Sequence, residues 1–321
     1  MFCRRQLTAI AVGAALVTSA VGCGTKAAAP QPSPPGAPAV SAPPAAPTST
    51  PFAAAGPLIE KPDFAKQLEN FEAARFSDPT RVTNTWFPLV PGMQSTYDGN
   101  SVEDGETHKK HFVQTVTDLT KTIMGVRTVV VWSQGYDDGE LKDAQLSFYG
   151  QADGGDLWYF GEYPEEYENG KVVSTLTWIA GIAGARPGIA MKQVAEIGSP
   201  SYSEGFSPVV PWTDRARTSQ VGVKDCVPQG CHENMIVTDE FNREEPGATQ
   251  QKFYAPGVGN ARTASGTGDA KESLELTKLV RLDPAELDAA RAEALRLDAS
   301  GTQHSREAYA LSAPIERPPG R

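Results

Sequence analysis

The sequence predicts a mainly β protein built on a single antiparallel, strongly curved sheet or barrel, with a short N-terminal helix and a C-terminal helix. From Gln94 to Arg281, β-branched and aromatic residues alternate with polar ones in short runs, as in half-buried strands. Gly, Pro and Asn separate these runs and supply turns. The runs show no βαβ rhythm, so we expect roughly ten to twelve strands in one antiparallel sheet.

The first 22 residues have the composition of an export signal. Arg4 and Arg5 give a positive start, and the stretch from Leu7 to Gly22 is apolar or small and carries no charge. A charged start followed by a short apolar core is typical of a leader that is removed on export. The export route, Sec or twin-arginine, stays open, because Thr8 weakens the apolar run that a twin-arginine signal requires.

Cys23 follows Ala20-Val21-Gly22 and resembles the cysteine of a bacterial lipobox. In that motif the thiol is acylated and becomes the first residue of the mature chain. We therefore expect a palmitate-type lipid anchor at Cys23, on the extracytoplasmic face of the cell membrane. Two or three acyl chains suffice for stable anchoring, whereas one chain gives only marginal binding. The alternative is an ordinary signal peptide in which Cys23 is incidental.

Residues 23–57 are rich in alanine and proline and show no hydrophobic periodicity. Such a segment cannot bury a core and favours extended polyproline geometry. We therefore predict a semi-rigid tether that joins the anchor to a β-rich domain over residues 58–282.

Two segments precede the first predicted strand. Asp63 to Arg75 has apolar residues at helical spacing, which predicts a short amphipathic helix lying on the core. The motif WFPLVPG, from Trp86 to Gly92, contains prolines that exclude a central strand. Its aromatic residues are expected to enter the core as a plug.

The C-terminal helix is predicted over residues 283–298. Asp283 precedes Pro284 and stands three residues before Glu286, which is the pattern of an N-cap, a proline at the first helical position and a capping glutamate. Residues 299–321 are polar and end in prolines, so we predict a disordered tail.

Two hairpins have specific turn signals. Asn169-Gly170 stands between two strand-like runs and is the strongest short hairpin signal in the chain. Cys226 and Cys231 flank a loop that contains proline and glycine. In an oxidising compartment this remaining pair predicts a disulfide that clamps the loop tip. A zinc site with His232 is the alternative, but no second pair of ligands follows at finger spacing.

The chain carries a net charge of −10. This balance argues against nucleic acid as a partner, because phosphates require a basic face. It also argues against electrostatic docking on anionic lipid. The membrane is therefore expected to be a partner only through the lipid anchor.

An acidic stretch from Tyr136 to Gly170 contains ten carboxylates and one lysine. Asp153 and Asp156 stand across a tight turn and aromatic residues follow them, which suits a cation such as Ca²⁺, a sugar or a cationic group. The candidate ligand residues are Asp137, Asp138, Glu140, Asp153, Asp156, Trp158 and Glu162. The alternative is a solvated acidic face that keeps the protein soluble.

No catalytic motif stands out in the sequence. His108 and His111 are three residues apart and would lie on opposite faces of a strand, and no G-x-S-x-G elbow is present. The glycines at Gly257 and Gly259 lack the third glycine of a dinucleotide fingerprint. Paired carboxylates could serve a glycosidase, but the sequence gives no reason to choose two among so many.

The motifs WFPLVPG, YDDGEL, LWYFGE, YENGKVVST, PGI and YAPGVG occur in this order and resemble those of a group of bacterial exported proteins and lipoproteins of unassigned function. The resemblance covers roughly Phe76 to Val280 and implies no catalytic residues. The loop between Cys226 and Cys231 and the C-terminal helix look like additions to that pattern. A more distant likeness is to envelope lipoproteins whose half-barrel sheets hold acyl chains, which is an analogy of fold alone.

These observations predict a non-enzymatic lipoprotein whose β-rich domain binds a cell-wall or small-molecule ligand. A lipid carrier with an apolar cavity in a half-barrel is the first alternative. A secreted hydrolase is the second.

Overall fold

The computed structural model of the chain describes residues 68–103, 106–210, 212–243, 247–267 and 271–317. The leader, Cys23, the tether and the first residues of the predicted N-terminal helix lie outside these ranges. The predictions for them therefore stay predictions.

The described residues form one antiparallel sheet, as the sequence predicts, but with sixteen strands where ten to twelve were expected. The strands are β1 Met93–Glu103, β2 Glu106–Ile123, β3 Val126–Asp137, β4 Glu140–Gln151, β5 Leu157–Glu168, β6 Lys171–Ser174, β7 Trp178–Ile179, β8 Arg186–Met191, β9 Tyr202–Ser203, β10 Gly205–Phe206, β11 Arg215–Val227, β12 Gly230–Phe241, β13 Thr249–Ala255, β14 Gly259–Thr267, β15 Lys271–Arg281 and β16 Ile315–Glu316. Their order is β10-β8-β5-β4-β3-β2-β1-β15-β14-β13-β12-β11-β9, with β6 and β7 beside β5 and β16 beside β2.

The sheet is open rather than closed into a barrel. Its order ends at β10 on one side and at β9 on the other, and both short strands belong to the segment 202–206. β10 pairs with β8 through two residue pairs, and β9 pairs with β11 through two more. An unpaired sheet edge exposes a row of N–H and C=O groups, so this single segment partly covers both edges.

Curvature brings the side chains of distant strands together on one face. Five strands lie between β4 and β13 in the order. The ring of Phe87 nevertheless lies 5.6 Å from that of Tyr149 on β4 and 6.0 Å from that of Tyr254 on β13. We call the face that carries these residues the inner face and the opposite one the outer face. The predicted plug therefore enters the core, since Phe87 and Leu89 are both buried.

The N-terminal segment differs from the predicted helix. Within its described part, Phe71–Ala73 forms one 3-10 turn, and the residues between this turn and β1 are not helical. Phe71 and Phe76 both pack edge-on against the rings of Trp158 and Phe160 on the outer face of β5. Because both rings pack over the same strand, this packing determines the path of the segment. Tertiary contacts thus outweigh the helical preference that the spacing of apolar residues indicates.

The C-terminal helix α1, Pro284–His304, starts where the sequence predicts and ends later. Asp283 accepts a hydrogen bond from the backbone of Glu286, whose side chain accepts one from the backbone N–H of Asp283, so the capping box is complete. Neither α1 nor any other helix in the described part of the chain has the length and hydrophobicity that crossing a bilayer requires.

The predicted disorder of residues 299–321 is corrected over the described part, to residue 317. Tyr309 is 1% exposed, and its hydroxyl donates to Asp298 Oδ1 at 2.7 Å. Its ring lies 4.1 Å from the ammonium of Lys121 on β2. β16 then pairs with β2. Together these contacts cover Lys121, whose pKa is lowered by burial against the raising effect of Asp298.

Both specific hairpin signals are confirmed. Asn169 and Gly170 join β5 to β6 with φ values of 50° and 71°, the left-handed backbone that a two-residue hairpin turn requires. Cys226 and Cys231 form a disulfide with their Cα atoms 4.0 Å apart. They are directly opposed across the β11–β12 ladder, so the bond clamps the tip of that hairpin, as predicted.

Gly301→Ala tests how closely Tyr309 packs on α1. A Cβ at position 301 would lie 2.7 Å from Cδ1 of the Tyr309 ring. The clash should outweigh the roughly 1 kcal/mol by which alanine favours a helix over glycine. We expect a net loss of about 1–2 kcal/mol in the free energy of unfolding, measured by urea titration.

The matched control repeats Gly301→Ala in a Tyr309→Ala background. Without the ring, the alanine should stabilise the helix, and the two effects should be strongly non-additive. Stabilisation by Gly301→Ala in the otherwise unchanged protein would contradict the packing described above.

Candidate functional site

Aromatic side chains fill one half of the inner face. Tyr149 and Tyr159 stack with ring centroids 4.8 Å apart. Trp178 meets Tyr159 edge-on at 5.1 Å and stacks on Trp212 at 5.6 Å. All four are at most 3% exposed. This half of the face is therefore core, and its packing holds the curved sheet in shape.

A buried ionic group lies beside this aromatic core. The ammonium of Lys252 on β13 pairs with the carboxylate of Glu240 on β12, and Glu204 stands between β9 and β10. Burial raises the pKa of the Glu204 carboxyl well above its usual range, and Glu240 raises it further. Burial lowers the pKa of Lys252, but the two glutamates outweigh that effect and raise it. Lys252 is thus charge-matched inside the fold.

Glu162 also faces the inner side. Its carboxylate accepts hydrogen bonds from the Tyr159 hydroxyl and, at 2.8 Å, from Nε2 of Gln145. Because these donors come from β4 and β5 and the residue is only 8% exposed, Glu162 is held as part of the core.

The other half of the inner face ends in a group of charged side chains that we call the rim cluster. It lies near the β1–β2, β3–β4 and β14–β15 turns, so all its members belong to one rim of the sheet. The rim cluster consists of Ser101 on β1, Lys110 on β2, Asp137 on β3, Asp143 on β4, Glu166 on β5 and Glu272 on β15.

The ladder registers place these residues on one surface. Ser101 opposes Glu272 across β1 and β15, and Lys110 opposes Asp137 across β2 and β3. Asp143 opposes Glu166 across β4 and β5. Directly opposed side chains lie close together on one face of a sheet, so six residues from six strands share this rim.

Negative charge exceeds positive charge in the rim cluster. The ammonium of Lys110 lies 2.6 Å from Asp137 Oδ1 and 3.9 Å from Glu272 Oε1. Asp143 and Glu166 have no salt bridge within the described residues. Like charges that oppose each other across a ladder are destabilising, so this pair is a local electrostatic cost when both carboxylates are ionised.

Two buried polar atoms of the rim cluster have neither a hydrogen-bond partner nor an ion pair among the described residues. They are Oγ of Ser101 and Oδ1 of Asp143, in side chains that are only 5% and 6% exposed. An unsatisfied buried polar atom costs about 1–3 kcal/mol, and more when it is charged. Such atoms in a native fold indicate a place where a water, an ion or a ligand group completes the bonding.

Gly135 on β3 makes room for the carboxylate of Asp143. A Cβ at this position would lie 2.2 Å from Asp143 Oδ2. The carboxylate therefore lies directly over the backbone of the neighbouring strand, where a larger residue would displace it.

The surroundings of Asp143 also change its acidity. Burial raises the pKa of its carboxyl to about 7. The ammonium of Lys110 acts in the opposite direction, while the carboxylates of Asp137, Glu272 and Glu166 raise the pKa further. Perturbed groups of this kind concentrate at functional sites.

Two solved structures are similar to this chain, each over 61% of its length. One is a candidate exported protein with a YmcC-like fold from Bacteroides fragilis, at 12% sequence identity and a TM-score of 0.37, matched over 99% of its own chain. The other is a candidate lipoprotein from Parabacteroides distasonis, at 11% identity and a TM-score of 0.34, also matched over 99%. No protein-family model matches the sequence, and no curated protein matches it. Similarities this distant assign neither a fold family nor a function.

The seven residues that the sequence singles out do not share one site. β4 runs for 12 residues between the two turns that hold most of them, a length of about 40 Å. Asp137, Asp138 and Glu140 lie at the rim of the cluster, but only Asp137 belongs to it. Glu162 lies on the inner face between the two rims.

The remaining three predicted residues lie at or near the opposite rim. Asp153 accepts hydrogen bonds from the backbone and hydroxyl of Ser77, both at 2.8 Å. Asp156 accepts one from the backbone of Gln193 at 2.8 Å. Trp158 packs on the outer face. These aspartates tie neighbouring segments to the β4–β5 turn.

Each of the two histidines on β2 has its own aspartate. Nδ1 of His108 lies 2.8 Å from Asp138, and Nδ1 of His111 lies 2.7 Å from Asp98. Within the described ranges, no three His, Cys, Asp or Glu side chains are arranged to hold a metal ion.

Sequence reasoning missed five of the six residues of the rim cluster. Lys110 and Glu272 are far from Asp143 along the chain, and no local motif connects them. The signal that could have found them is strand pairing, because the registers of β1 with β2 and with β15 bring them together.

The protonation of Asp143 makes stability depend on pH. The pKa of Asp143 in the folded state is about 7, above the value of 3.8 for a free aspartate. At pH values between these two, the folded state therefore holds a proton that the unfolded state has lost. Stability therefore falls as pH rises from about 4 to about 7, and the loss is complete above that range. The facing groups that set this effect are Lys110, Asp137, Glu166 and Glu272.

Asp143→Asn should remove this dependence, since asparagine does not ionise. We expect the variant to exceed the unchanged protein by about 2–4 kcal/mol in the free energy of unfolding at about pH 8, and to match it near pH 4. Urea titrations at a series of pH values measure the difference. A gap between the two proteins that stays constant with pH would contradict the buried, raised carboxyl.

Proposed function

We propose that this chain is a lipoprotein, anchored through Cys23 on the extracytoplasmic face of the membrane, whose sheet binds a small polar ligand at the rim cluster. The observation that carries the binding role is the pair of buried polar atoms without a partner, Ser101 Oγ and Asp143 Oδ1, beside an excess of carboxylates. A ligand that donates hydrogen bonds there would satisfy both atoms and offset the repulsion.

The neighbourhood of the rim cluster supports the same role. A binding site needs polar groups that are already held in place before the ligand arrives. The strands that carry the cluster are central in the sheet, and the aromatic core in the other half of the same inner face is tightly packed. The side chains of the cluster therefore present a rigid surface. A binding site on a flexible loop, in contrast, would have to become ordered when the ligand binds.

The lipid-carrier alternative requires an apolar inner face. The observed face carries Glu162, Glu204 and Lys252, which are 8%, 3% and 3% exposed, and burying an acyl chain against such groups is unfavourable. The hydrolase alternative is favoured by no observation in the described part of the chain.

A thermal unfolding screen of the full-length protein in detergent tests the binding role. The probes are Ca²⁺, a diamine, a disaccharide and a fatty acid. We expect at least one of the polar probes to raise the midpoint for the unchanged protein, because a ligand that binds only the folded state stabilises it. The rise should be smaller for Asp143→Asn.

The matched control for this screen is Glu196→Gln. Glu196 is exposed in the loop between β8 and β9, far from the rim cluster, and its replacement removes the same charge. A rise that Glu196→Gln reduces as much as Asp143→Asn, a response to the fatty acid alone, or no response to any probe would each overturn the proposed site.

Labelling with an alkynyl fatty acid in the producing cell tests the anchor. We expect the label on the unchanged protein and on a Cys3→Ser control. In Cys23→Ser the label should be lost, and the protein should leave the membrane fraction because the acyl chains supply its membrane affinity. Labelling that survives Cys23→Ser would contradict the anchor and leave the binding screen unaffected.

A further inference from the structure

The rim cluster already contains one bound ammonium, which is that of Lys110. It lies within contact of two carboxylates, Asp137 at 2.6 Å and Glu272 at 3.9 Å. These two acids thus show what the cluster accommodates: a compact cation that forms ion pairs with oxygens of separate carboxylates. The side chain of Lys110 is only 14% exposed, so this half of the cluster is largely shielded from water.

The second half of the cluster has the same kind of oxygens but no cation. Asp143 and Glu166 oppose each other across β4 and β5 and have no salt bridge within the described residues. Asp143 Oδ1 is buried and without a hydrogen-bond partner there, and Ser101 Oγ on β1 is in the same condition. Charge and hydrogen-bonding capacity are therefore both unmatched at the same rim.

We propose that the rim cluster binds an organic cation with a primary ammonium group, which occupies the Asp143 and Glu166 half of the cluster beside Lys110. This inference rests on the binding role proposed above and names its ligand class. The ammonium offers three N–H donors, which suit the oxygens of the two opposed carboxylates.

The chemistry of the neighbours favours an ammonium over a divalent metal ion or a neutral polyol. Within the described ranges, no three His, Cys, Asp or Glu side chains converge closely enough to coordinate a metal ion, whereas an ammonium needs only separate hydrogen-bond acceptors. A neutral sugar would donate hydrogen bonds to Asp143 but leave the repulsion between the opposed acids uncompensated. A single ammonium satisfies the buried oxygen and offsets that repulsion together.

The rest of the ligand is expected to extend away from the sheet. Glu166 and Glu272 are partly exposed, so the second end of a diamine or the side chain of a cationic peptide terminus would lie near the open side of the rim.

Isothermal titration of the full-length protein in detergent tests this proposal at about pH 8, where the Asp143 carboxyl is largely ionised. The probe is putrescine, a diamine, and the comparison ligands are 1,4-butanediol, which has the same length without charge, and Ca²⁺ at matched ionic strength. We expect binding of putrescine in preference to both. Affinity should fall at about pH 5, because protonation of Asp143 removes its charge.

Three variants locate the site. Asp143→Asn should weaken putrescine about 10- to 100-fold, as expected for the loss of a hydrogen bond between charged groups. Ser101→Ala, on β1 and separated from β4 by two strands, and Glu196→Gln should both leave it unchanged. Asp143→Asn is expected to be folded and more stable than the unchanged protein at this pH, so its loss of binding would not reflect unfolding.

The opposite results overturn the proposal. Equal affinity of the unchanged protein and Asp143→Asn places the diamine elsewhere. Preference for Ca²⁺ or for butanediol identifies a different ligand class, and absence of putrescine binding excludes this one. If the disaccharide of the thermal screen binds and putrescine does not, the proposed function stands and only the ligand class named here fails.

Discussion

Both edges of this sheet depend on one short segment. Residues 202–206 pair with β8 on one side and with β11 on the other, and the buried Glu204 stands between the two halves. Sheet edges must be paired or covered, and covering two edges with one segment forces the sheet to curve. The curvature is what brings Phe87 into contact with β4 and β13 at once. It also turns the rim residues of β1 to β5 and β15 towards a common surface.

The inner face divides into two parts with different physical character. In one part the interactions are complete, because the aromatic rings stack and the ammonium of Lys252 forms an ion pair with Glu240. The other part holds opposed acids and buried atoms without partners, which lowers the stability of the isolated protein. A fold tolerates such a cost where the surrounding structure is rigid enough to hold it. The packed aromatic half supplies that rigidity. The rim cluster is the part whose contribution to stability changes with pH.

The fold follows from the sequence more readily than the site does. Alternation along single strands, Asn169-Gly170 and the capping residues of α1 are local signals, and each acts as expected. The rim cluster is non-local: its six residues come from six strands, so only the registers bring them together. Proximity in sequence misleads here, because Asp137 and Asp156 belong to one acidic stretch but lie at opposite ends of β4. The C-terminal tail shows the same limit, since its order depends on Tyr309 and on β16, whose partners include a distant strand, β2.

The order in which the strands pair determines when folding can be completed. β1 near residue 93 pairs with β15 near residue 281, and the tail beyond α1 completes the cover over β2. Contacts this far apart in the chain make folding slow, because a large loop must close before they form. A chain that is still attached to the ribosome lacks the partner for its own first strand. Such a chain cannot complete its sheet until synthesis is nearly finished.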